Sequence, residues 1–161
     1  MMSASEISLA GRDDVGLEAA RRAVRLTGPA PALTDPVVVE VEPVLNIAAG
    51  EAHWGLTGYV GTGDLRRVAA GNPAAVDEAL KAASGRALVV AFRDAHRSLA
   101  TQSFVGALLA QRPDAVLMEM GLPYWTPPPG SYQAYVATYG SSRASTEAAA
   151  ELLGLPPAVA G

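Results

Sequence analysis

The sequence predicts one α/β domain spanning residues 1–161, a three-layer α/β/α sandwich on a mostly parallel, doubly wound sheet. Two short runs, Ala87–Phe92 and Ala115–Met120, are almost wholly apolar, as strands covered by helices on both faces must be. A third run, Pro36–Val41, is crowded with β-branched valines, which strain a helix and fit a pleat. Helix-length segments separate these runs, and strands joined by helices imply parallel pairing with right-handed crossovers.

Each element follows from local pattern. Between Asp14 and Leu26 the residues Val15, Leu17, Ala20, Val24 and Leu26 fall on one helical stripe. Asp13 or Asp14 caps that helix, and Gly28-Pro29 ends it. Pro36–Val41 is the first strand. The stretch Glu42–Gly63 is too irregular for a helix and too long for a turn, and loops of that length are usually functional or disordered. A short strand is expected around Arg67–Ala69. Pro73 at a first helical position, with Asn72 as cap, opens a helix to about Ala83. After the central strand, Ser98 or the turn before it begins a helix that ends at Gln111 before Pro113. Ala134–Tyr139 is the last strand, and Ser141 or Ser142 caps a final helix to Leu153.

Composition narrows the function classes. Half the residues are hydrophobic but only 6% are aromatic, so Ala, Val and Leu must fill a closely spaced interior. Twelve basic against sixteen acidic residues give a formal charge of -4, which offers a nucleic-acid backbone little attraction. No cysteine is present, which excludes disulfides and thiolate metal sites and fits the cytosol by default. The longest apolar run is far too short to span a bilayer, so no membrane partner is expected.

In an open parallel sheet, ligands gather where the strands end, beside the βα loops and helix N-termini. Asn46, Glu51, His53 and Trp54 follow the first strand, and Arg93, Asp94, His96 and Arg97 follow the central one. Tyr124, Trp125, Tyr139, Ser141, Ser142 and Arg143 come later. Several chemistries compete for these residues. Asp94 either caps the next helix or touches a ligand, and His96 suits a loop-stabilising hydrogen bond better than a proton shuttle. Asp94, His96 and Ser142 have the residue types of a hydrolytic triad, but Ser142 lacks a nucleophile elbow. Glu51, His53 and His96 lack metal-site spacing, and Gly58–Gly63 lacks the ending of a phosphate cradle, so neither a metal nor another cofactor is expected. Trp54, Trp125 and Pro127–Pro129 suit a sugar face or, better, a protein interface. Glu119, alone in a buried strand pattern, is read as structural or interfacial.

Three stretches carry a family resemblance: Asn46–Glu51 before Trp54-Gly55-Leu56, Arg93–Arg97, and Ala137–Arg143 with Ser145 and Ala148–Ala150. In this combination the chain, from about Asp14 to Leu155, resembles the C-terminal domain of glycoside hydrolase family 3, in its β-N-acetylhexosaminidase branch. The resemblance implies that an N-terminal (β/α)₈ barrel of the parent protein supplies the nucleophilic aspartate and an Asp-His acid/base pair. A chain of 161 residues cannot hold a barrel of about 250 residues as well as this sandwich. The expectation is therefore a non-catalytic accessory domain that docks on the barrel and shapes the rim of its glycan site. Asn46, Glu51, His53, Trp54, Arg93, Asp94, His96 and Trp125 are the expected rim or interface residues. The competing expectations are a small free-standing hydrolase using Asp94, His96 and Ser142, and a self-associating interaction module.

Overall fold

The computed structural model describes residues 15–29, 31, 33–42, 55–59 and 64–155. Among these, six strands form one sheet: β1 (Arg25–Thr27), β2 (Val37–Val41), β3 (Leu65–Val68), β4 (Leu88–Phe92), β5 (Val116–Glu119) and β6 (Ala134–Ala137). Their order is β1-β6-β5-β4-β2-β3. Every neighbouring pair from β6 to β3 is parallel, and β1 is antiparallel to β6. The helices are α1 (residues 15–23), α2 (Ala75–Ala82), α3 (Leu99–Gln111) and α4 (Arg143–Leu152). The chain runs outward from β2 to β3, then crosses back to β4 on the other side of β2, which makes the sheet doubly wound.

Strand alternation divides the core in two. Val37, Val39, Val90, Phe92 and Leu117 face α2 and α3, meeting Phe104, Val105 and Leu108. Val38, Val89, Ala91, Met118 and Val136 face the opposite layer, meeting Ala20, Ala149, Ala150 and Leu153 of α1, α4 and its end. The result is the three-layer α/β/α sandwich expected from the sequence. α3 buries Thr101, Phe104, Val105, Leu108 and Leu109, the spacing of one helical face. α2 buries Ala75 and Ala79 one turn apart, so small side chains let that helix approach the sheet closely. Each fully buried Val or Leu in these layers contributes about 1.5–3 kcal/mol relative to exposure. No described helix is long and apolar enough to cross a membrane.

Several boundaries differ from expectation. The first helix does not reach Leu26: it ends at residue 23, and Arg25–Thr27 pairs with Tyr135–Ala137 as an antiparallel edge strand. Val24 and Leu26 fit the helical stripe, but pairing with β6 overrides three residues of weak helical pattern. Gly28 then turns the chain at φ +95°, where a Cβ would lie 2.7 Å from the Gln133 carbonyl oxygen. α2 begins at Ala75 because the Asn72 side chain accepts the N–H of Ala74 at 3.0 Å, forming a turn ahead of the helix. The last strand stops at Ala137, since Tyr139 takes a left-handed φ of +58°. Asp13 and Asp14 lie outside the described residues.

Candidate functional site

The parallel strands β2, β4, β5 and β6 end along one edge, and two buried glutamates organise it. Glu119 closes β5 with no solvent exposure. Its Oε1 accepts the N–H of Asp94 at 2.6 Å and of Gly121 at 2.8 Å, and its Oε2 accepts the N–H of Ala95 at 3.2 Å. One carboxylate thereby satisfies backbone donors of both the β4–α3 loop and the β5–β6 loop, which would otherwise be costly to bury. Burial pushes its carboxyl above the usual range, against the downward pull of the three N–H bonds, and nearby Asp94 adds a smaller push.

Asp94 ties the same loops a second time. It sits at φ +50°, a left-handed conformation that Asp tolerates better than most residues. Its Oδ1 accepts the N–H of Leu122 at 2.9 Å, and its Oδ2 lies 3.6 Å from Arg93 Nε. Asp94 therefore caps no helix with its side chain. Ser98 does so for α3, accepting the N–H of Thr101 at 3.2 Å. Further along the second loop, Trp125 is half-buried with its ring edge-on to Phe92, centroids 6.4 Å apart. The more exposed aromatic is its neighbour Tyr124, 73% exposed and edge-on to His96 at 5.1 Å.

Glu40, near the end of β2, repeats the device on the other face of the sheet. It is 3% exposed, accepts the N–H of Leu56 at 2.7 Å, and pairs with Arg67 at 3.4 Å. Gly55 passes so close to it, at φ +114°, that any Cβ there would overlap the carboxylate. Burial pushes the Glu40 carboxyl up, opposed by the Leu56 N–H and by Arg67. Glu40 was not singled out from the sequence, and Tyr124 was placed on the strand-end edge without being counted among the expected rim residues. The available signals were a lone charge inside a valine strand and an aromatic fixed between Pro123 and a packed tryptophan.

Of the expected site residues, Asn46, Glu51, His53 and Trp54 lie outside the described residues, as does most of Gly58–Gly63. Arg93, Asp94, His96 and Trp125 come together on two adjacent loops. Asp94, His96 and Ser142 are not joined as a triad. His96 Nδ1 is buried without a hydrogen-bond partner among the described residues, so the loop-stabilising bond expected of it is not made through that atom. The Asp94 oxygens face Leu122 and Arg93. Ser142 instead caps α4, accepting the N–H of Ser145 at 3.1 Å.

A cleft of about 690 Å³ opens at the opposite edge, where β4 and β5 begin, between Leu33, Leu80, Arg86, Arg112 and Gln133. Its cations are already engaged. Arg86 bridges Asp35 at 2.9 Å and Asp64 at 2.6 Å. Arg112 pairs with Asp114 and donates to the carbonyls of Ala83 and Arg86 at 2.8 and 2.6 Å. These contacts tie the end of α2 to the start of β5 and leave no charge waiting for a ligand.

No protein-family model matches the sequence, and no curated protein matches it. The fold is similar to that of a glycoside hydrolase family 3 β-N-acetylglucosaminidase from Paenibacillus sp. str. FPU-7, with a TM-score of 0.61 and 15% sequence identity. The similarity covers 98% of this chain and 32% of that one, so this chain spans about a third of the length of that enzyme. The likeness is one of fold: a three-layer α/β/α sandwich of the kind found within part of a larger family 3 chain.

Proposed function

We propose that this chain is a non-catalytic accessory domain of a sugar hydrolase of the β-N-acetylhexosaminidase kind, packing on a (β/α)₈ barrel. In this reading it resembles the C-terminal domain of such an enzyme, and its strand-end loops shape the rim of the glycan site. The observation that carries the reading is the coverage. Nearly the whole sandwich corresponds in fold to a minor share of a β-N-acetylglucosaminidase chain. The chemistry of the strand ends supports it. A retaining glycosidase needs two carboxyl groups about 5–5.5 Å apart flanking one bond. Here Glu40 and Glu119 project to opposite faces of the sheet and are both occupied by backbone N–H groups. Such carboxylates hold loops in place and, lying on opposite faces of the sheet, do not flank one bond.

The test is a fluorogenic N-acetylglucosaminide assay on the purified chain, alone and with a purified family 3 (β/α)₈ barrel. No rate above buffer is expected from the chain alone, and the barrel's rate is expected to rise when the chain is added. Turnover by the chain alone, or a barrel indifferent to it, would overturn the reading.

A further inference from the structure

The described structure presents one aromatic ring in an unusual way. The loop 121–125 is fixed on both sides of Tyr124: Gly121 N–H on Glu119, Leu122 N–H on Asp94, and the Trp125 ring against Phe92. Tyr124 N–H also donates to the Leu122 carbonyl at 2.9 Å, and Pro123 fixes the backbone before it. Yet Tyr124 is itself 73% exposed, and among the described residues its ring contact is the edge-on one with His96. A ring whose backbone is held this firmly loses little further entropy when a ligand covers it. Polar groups stand on the adjoining loop. Arg93 and Asp94 lie 3.6 Å apart, both partly exposed, and Asp94 is bonded to the residue two before Tyr124.

We infer that Tyr124 is a stacking platform for the apolar face of a pyranose ring, with the Arg93–Asp94 pair as its hydroxyl-recognising flank. The chemistry fits a sugar in both parts. The C–H face of a pyranose covers an aromatic ring, while vicinal hydroxyls need a donor and an acceptor side by side. Arg93 supplies the donor and the carboxylate of Asp94 the acceptor. A protein-docking patch would instead call for contiguous apolar area, and among the described residues of loop 121–125 the one large hydrophobic exposed besides Tyr124 is Leu122, at 43%. Glu119 acts here as a positioning residue: it touches no ligand and sets both loops in register. The inference rests on the reading of this edge as a glycan rim and names the residue and ligand class within it.

The experiment is a titration of the ¹⁵N-labelled chain with N-acetylglucosamine and N,N′-diacetylchitobiose, with sorbitol as a polyol lacking a ring face. Saturable shifts at Leu122, Tyr124 and His96 are expected with the saccharides and not with sorbitol. Tyr124→Ala should weaken binding by about tenfold or more while Tyr124→Phe retains it, the difference of one aromatic contact. Tyr139→Ala, which alters another exposed tyrosine, should leave binding unchanged. Since Tyr124 is exposed, its variants should unfold at the wild-type urea midpoint. Absence of saturable shifts, equal shifts with sorbitol, or Tyr124→Ala binding within about twofold of wild type would each overturn the platform. Loss of a concentration-dependent mass in Tyr124→Ala without any saccharide response would make the ring a protein contact and sink it as well. The turnover assay is independent of these shifts, so the platform can fail while the accessory reading stands, and turnover by the chain alone would sink that reading without touching the shifts.

Discussion

Gly121 passes so close to Asp94 that a Cβ at position 121 would overlap the Asp94 carboxylate. The close approach lets Asp94 accept from Leu122 while Glu119 accepts from Gly121, so the two strand-end loops are bonded twice within a few residues. Gly121→Ala should therefore cost about 1–3 kcal/mol, as overpacking of a rigid site does. In an Asp94→Ala background most of that cost should vanish, because the carboxylate is gone and only the tight 3.0 Å approach to the backbone nitrogen of residue 94 remains. Urea unfolding of the four members of the cycle measures it. Additive losses would mean that the glycine is required for some other reason.

Glu119→Gln should be more damaging than its isosteric shape suggests. Three N–H groups point at the carboxylate, and an amide replaces one acceptor oxygen with a donor. At least one buried N–H then loses its partner, at a cost of about 1–3 kcal/mol. Hydrogen exchange should report the site directly, with the amides of Asp94, Ala95 and Gly121 exchanging faster in the variant than in the wild type.

The same two glutamates give the domain a pH dependence of definite sign. Both carboxyls are raised from the ordinary 4.5, chiefly by burial. A group whose pKa is higher folded than unfolded favours folding in its protonated form. Its contribution is complete below the unfolded value and is lost as pH rises through the folded one. Stability measured by urea from about pH 4 upward should thus fall more in the wild type than in Glu40→Gln or Glu119→Gln. Asp114, lowered by its hydrogen bond from Arg112, acts in the opposite sense, with stability lost only as the pH drops below the ordinary 3.8.

Ser142 should prove replaceable for chemistry and not for stability. Its side chain accepts the N–H of Ser145 at 3.1 Å as the cap of α4. Ser142→Ala should lower stability by about 1 kcal/mol, and Ser142→Asp should recover most of it, because either oxygen satisfies the same orphan N–H. A serine acting as a nucleophile would show the reverse pattern in a hydrolase assay, with Asp no better than Ala.

The sequence by itself determined the layers. Valine-rich and all-apolar runs of strand length, separated by helix-length segments with caps and breakers, admit a buried parallel sheet and little else, so β2, β4, β5, α3 and α4 were legible from local pattern. It also placed Arg93, Asp94 and His96 at a strand end, and it marked Glu119 as structural or interfacial. Tertiary structure alone decided the rest. Only pairing with β6 makes Arg25–Thr27 a strand, since three residues carry too weak a pattern to outweigh a helical stripe. Only the crossing of two loops shows that Asp94 holds Leu122 instead of capping a helix, and that Tyr124 is displayed while Trp125 packs inward. The physical reason is range: hydrophobic period and caps act within a few residues, whereas a carboxylate's partners 24 and 25 positions away in the chain are set by how the strands lie side by side.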